Sequence, residues 1–146
     1  MTLTAPPGVS GRTDRWRRMV PPVAVGGGIA AASVALHLRD PHEQGSWGFC
    51  PSSTLFGVFC PGCGGLRAVN DLTNLQLADA ASSNLAFILA LPFLAYVFAR
   101  WALGRWRGRS WDPSQRAMGF SAAVLAVGLV AFTVLRNLPA GSWLAP

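Results

Sequence analysis

The sequence predicts an all-α polytopic membrane protein with three transmembrane helices and one short interfacial amphipathic helix. Three observations carry this. Stretches at about 20–38, 85–103 and 117–135 are each close to the roughly 20 apolar residues needed to cross about 30 Å of hydrocarbon. The six Trp (Trp16, Trp47, Trp101, Trp106, Trp111 and Trp143) flank these stretches or lie in the connections, where indoles anchor at the membrane–water interface. The chain is 51% hydrophobic and only 12% charged, about half the charged share of a soluble domain.

The charge pattern orients the spans. The formal net charge is +6, and the basic residues are all Arg. They sit beside apolar runs rather than along a polar face interleaved with aromatics, so a nucleic-acid partner is not expected. Arg12, Arg15, Arg17 and Arg18 precede the first span, and Arg100, Arg105, Arg107, Arg109 and Arg116 fill the second connection and its edges. Only Arg39, Arg67 and Arg136 fall on the other side. The positive-inside rule then gives a cytoplasmic N-terminus and an extracytoplasmic first loop in a plasma membrane. His37 and Arg100, the basic residues within the span limits, lie about a turn from an end, where they can reach the interface.

Residues 1–18 read as a disordered cytoplasmic tail, and residues 19–146 as a single membrane domain. In the first span, Pro21 and Pro22 suit the opening turn of a helix. A cleavable signal peptide is the alternative for this stretch, but its apolar run outlasts the roughly 7–15 residues of a signal h-region. Gly26, Gly27 and Gly28 followed by Ala30, Ala31, Ala32 and Ser33 make a small-residue face. Such a face serves packing within the chain or a homo-oligomer contact.

Residues 39–82 form the cysteine loop and the interfacial helix. Pro41, Gly45, Gly48 and Pro51 mark a loop as far as Gly57. From Leu66 to Ala80, apolar Leu66, Val69, Leu72 and Leu75 alternate with polar Arg67, Asn70, Asp71 and Asn74. This is an amphipathic helix too short and too polar to span. Ser82 and Ser83 are candidate caps for the second span, which Pro92 can kink, and Asp112-Pro113 is a start signal for the third.

Chemistry concentrates in Cys60-Pro61-Gly62-Cys63-Gly64-Gly65-Leu66-Arg67, with Cys50 ten residues upstream. Three readings stay open. Any two of Cys50, Cys60 and Cys63 are disulfide candidates for a structural staple, leaving one cysteine free. Cys60 and Cys63 form a CxxC pair suited to thiol–disulfide exchange, with a helix start and Arg67 to favour a thiolate; the βαβ context usual for such motifs is missing from the pattern. The three cysteines with His37 or His42 would make a Cys₃His metal set. Arg67 and Asp71, four residues apart, form a supporting ion pair. Asp40 and Glu43 read as solvated charges, and no resident cofactor is expected.

The stretch from Phe59 to Leu85 resembles a domain-of-unknown-function family of small bacterial membrane proteins. The resemblance rests on Cys60, Pro61, Cys63, Gly64, Arg67, Ala68 and Asn84, with Cys50-Pro51 upstream. Leu66 stands where the family commonly has Thr, and Leu85 where it often has Pro. The resemblance implies a membrane fold with a cysteine site and implies no reaction.

The leading expectation is a non-enzymatic membrane protein whose cysteine box is structural or binds a membrane-protein partner. A membrane thiol–disulfide oxidoreductase and a metal-binding membrane protein are the alternatives.

Overall fold

The computed structural model describes residues 10–43, 47, 50–109, 111 and 113–145. Among these the chain is helix and turn, with three helices long and apolar enough to cross a membrane. Helix α1 (Ser10–Leu38) starts earlier than the expected tail boundary, so Pro21 and Pro22 lie inside it rather than in its first turn. Pro22 has no N–H to give the carbonyl of Arg18, four residues back. That carbonyl instead accepts from Arg105 Nε at 3.1 Å. The Arg15 guanidinium lies 5.2 Å from the Trp106 ring centre on the same end, so a proline defect becomes a clasp between α1 and the far end of α4 (Leu77–Trp106).

Of the three glycines in the small-residue run, Gly26 faces α4, where a Cβ would meet Phe98 Cζ at 3.4 Å, whereas Gly27 and Gly28 face open space.

Part of the expected loop is helical. Helix α2 (Pro51–Phe56) has Pro in its first turn and closes on Gly57, whose φ of 64° suits a residue without Cβ. Helix α3 (Gly65–Thr73) then ends well short of Ala80. Thr73 Oγ1 and Asn74 Nδ2 both donate to the Asn70 carbonyl, and Leu75 takes a positive φ of 63°. Short polar side chains competing for backbone acceptors break the single amphipathic helix into two.

Helix α4 (Leu77–Trp106) has its one departure from helical dihedrals at Asn84 (φ −159°, ψ 91°), not at Pro92. Asn84 therefore sets the long apolar segment from Leu85 apart from about two turns of helix over residues 77–83. Helix α5 (Gln115–Arg136) is capped by Ser114, whose Oγ accepts from Ala117 N at 3.2 Å. The expected cap, Asp112, lies outside the described residues. A 3-10 helix (Pro139–Leu144) closes the chain, and a Cβ on Gly141 would overlap the Leu135 carbonyl.

Helix α1 packs on α3 and α4, and α3 packs most extensively on α4. Helix α5 packs chiefly on the 3-10 helix, which also touches α4. The long helices expose apolar side chains such as Leu89 (68%) and Val127 (69%), the belt a bilayer covers. Helix α3 is inverted relative to a helix on a soluble protein. Asn70 and Asp71 are 5% and 2% exposed, whereas Leu66 is 47% exposed. Its polar side chains serve the interior: Asn70 Nδ2 donates to Leu36 O at 2.8 Å, satisfying a carbonyl in the last turn of α1.

Candidate functional site

The cysteine box sits where α3 and the start of α4 meet the C-terminal end of α5. Its backbone is set by two tight turns, Cys63 N–H to Cys60 O (3.1 Å) and Gly65 N–H to Gly62 O (3.0 Å). Gly64 follows at φ 80° and leads into α3. Helix α2 brings Cys50 back at its own N-terminal edge.

The result is a triangle of thiols. Cys63 Sγ lies 3.0 Å from Cys50 Sγ and 3.1 Å from Cys60 Sγ, and Cys50 and Cys60 are 3.6 Å apart. All three are free, and no pair is at disulfide distance. A sulfur–sulfur bond would need about 2.05 Å. Three sulfurs on one tetrahedral zinc, at about 2.3 Å each, would stand about 3.8 Å apart.

Three side chains hold the box from outside it. Asn84, 1% exposed, donates to Pro61 O (2.9 Å) and Cys63 O (3.1 Å), while its Oδ1 accepts the Phe87 N–H (2.9 Å). One amide thus caps the second span and fixes the turn carrying the cysteines, a role expected of Ser82 or Ser83. Those serines bond Asp79 O and the Asp71 carboxylate instead. Arg136, also 1% exposed, donates from Nη1 to Cys60 O (2.9 Å) and Cys63 O (3.2 Å). Asn137 exchanges two bonds with the Phe59 backbone, each 2.9 Å.

Arg136 and Asn137 are the residues sequence reasoning missed. The available signal was a polar pair closing an apolar span. Arg67, the basic residue expected at the site, reaches Pro41 O at 3.4 Å. Its expected partner Asp71 is taken up by Ser83 Oγ (2.8 Å) and His42 Nε2 (3.4 Å).

Neither histidine joins the thiols. His37 Nδ1 pairs with Thr73 Oγ1 at 3.1 Å. His42 stands between Asp40, 2.8 Å from Nδ1, and Asp71. The Cys₃His set is therefore corrected to Cys₃, because the end of α3 and the Asp71 carboxylate hold both imidazoles elsewhere. His42, Asp40 and Asp71 line a separate polar cleft of about 790 Å³ with Arg67 and Ser83. The backbone and side-chain bonds from His42 hold the Asp40 carboxyl below its ordinary range.

The thiols are electrically unequal. Hydrogen bonds from Ser52, then Cys63, then the Ser53 backbone bring Cys50 down to about 6. Burial, then its bonds with Cys50 and Cys60, pushes Cys63 up to about 12. Thiolate is the reactive form, so iodoacetamide should label Cys50 first in the reduced, metal-free protein. Its rate should rise as pH increases through about 6 and level off above, while Cys63 stays slow. Peptide mapping after brief labelling across pH checks the order, and first labelling at Cys63 would reverse this assignment.

Residues 50–98 match the model of a protein family of unknown function, DUF2752. The match spans the cysteine box, α3 and much of α4, in keeping with the resemblance read from the box. No curated protein and no solved structure gives a match.

Proposed function

We propose that this integral membrane protein uses its cysteine box as a three-thiolate binding site for a soft metal ion. The observation that carries the reading is the third sulfur. A staple or a CxxC couple needs two cysteines, yet Cys50, Cys60 and Cys63 all lie within 3.6 Å of one another. Thiolates select zinc, copper(I) and related soft ions. Three protein ligands leave a fourth position for water or an incoming ligand. The half-buried Cys50 and Cys60 are the accessible side of the triangle, and Cys63 is its buried corner. The box is then a binding element rather than an enzyme's active site. The nine-to-three arginine split supports an extracytoplasmic site in a plasma membrane with the N-terminus inside. The apolar belts favour lipid, with room for a membrane-protein partner or second copy.

Cobalt(II) titration of the reduced protein in detergent tests this. The reading expects saturation at one ion per chain, with thiolate-to-metal charge transfer and the visible bands of a four-coordinate ion. Absence of charge transfer under full reduction would sink it.

A second reading, thiol–disulfide exchange, draws on the inequality of Cys50 and Cys63. A half-buried, ionised attacking thiol beside a buried protonated one is the polarity such exchange uses. It expects Cys63 to be recovered as a disulfide with Cys50 or Cys60 from untreated membranes.

A further inference from the structure

We infer that Arg136 is the built-in counter-charge of the thiolate centre, and that it fits the site to a divalent ion. This rests on the metal-thiolate reading above and adds a condition on the ion and on a residue far away in sequence. Arg136 is 1% exposed, and its Nε and Nη2 have no hydrogen-bond partner among the described residues. No carboxylate lies within ion-pair distance of it among the described residues. Among the described residues its polar contacts are the carbonyls of Cys60 and Cys63, and the Phe132 and Phe59 rings lie 4.8 and 5.9 Å from it.

A buried guanidinium keeps its charge, and an unanswered buried charge is strongly destabilising. Ring faces and carbonyl dipoles answer it in part. The groups beside it that can become anionic are the thiols themselves. Three thiolates on a divalent ion carry a net charge of minus one, which the guanidinium cancels. A monovalent ion held the same way would leave a negative charge in the buried site, and a trivalent ion a positive one. Zinc and cadmium therefore suit the complete centre.

The test is cadmium affinity, measured by chelator competition in detergent under a non-thiol reductant, for wild type, Arg136→Gln and Arg136→Lys. Gln keeps an amide donor on a shorter stem and carries no charge. The inference expects Arg136→Gln to weaken cadmium by at least about tenfold, in the range of altered outer-shell partners. Its metal-free melting temperature should be equal to or above wild type. Arg136→Lys should recover most of the affinity. Arg67→Gln, which touches Pro41 and not the thiols, should bind as wild type does.

Wild-type affinity in Arg136→Gln would overturn the inference and leave the metal reading intact. So would failure of both Arg136 variants with a fall in metal-free melting, which marks a purely structural role. A wild-type protein that takes no cadmium overturns the metal reading, and this inference with it.

Discussion

Asn84→Leu should lower stability by about 3–4 kcal/mol, the summed cost of a lost helix cap and unpaired buried acceptors. The amide makes three bonds from one buried position, to Pro61 O, Cys63 O and Phe87 N. Leucine fills similar volume and replaces none of them. Cys63 O keeps its bond from Arg136, so Pro61 O is the acceptor left most exposed to loss. Asn84→Ser separates the two contributions, since Ser still caps a helix but is too short to reach the box. It should fall between wild type and Leu. Thermal melting in detergent measures the stability, and alkylation of Cys63 reports whether the box has opened. A leucine variant that melts with wild type would show that the box is held by other contacts.

The spans were legible because hydrocarbon thickness fixes their length and composition, and each ends near the residues expected. The break between α3 and α4 was harder to read. Leu66, Val69, Leu72 and Leu75 keep a helical rhythm across it, and apolar rhythm does not register that Thr73 and Asn74 compete for the Asn70 carbonyl. The signals for α2 were local and readable, with Pro51 in its first turn and Gly57 at its end.

The cysteines themselves were legible; their surroundings were not. Arg67 was favoured because it is near in sequence, but α3 carries it round to Pro41. Arg136 entered the sequence argument only as a charge to be counted for topology. Its contact with Cys60 bridges 76 residues and depends on how α5 closes against the box. No helical or strand periodicity encodes such a contact. The inversion of α3 follows from the membrane as solvent. Where the surroundings are lipid, polar groups such as Asn70 and Asp71 gain most by finding partners inside.

Cys63→Ala should abolish metal binding, weakening it by more than the roughly 10–100-fold that altered outer-shell partners cost. Cys63 is the corner shared by the two shortest sulfur distances, 3.0 and 3.1 Å. Its removal leaves Cys50 and Cys60, at 3.6 Å, as a two-thiolate site. Cys63 is 8% exposed and Ala is smaller, so the cavity is modest and the fold should survive. Retained high affinity in a folded Cys63→Ala protein would remove Cys63 from the ligand set.

The most direct measurement is the metal content of the wild-type protein extracted from its own membranes without added metal or thiol, with Cys63→Ala beside it. The account predicts one divalent soft ion per wild-type chain, none in the variant, and three thiols that resist alkylation until a chelator is added. A metal-free wild-type protein carrying a disulfide among Cys50, Cys60 and Cys63 would contradict it.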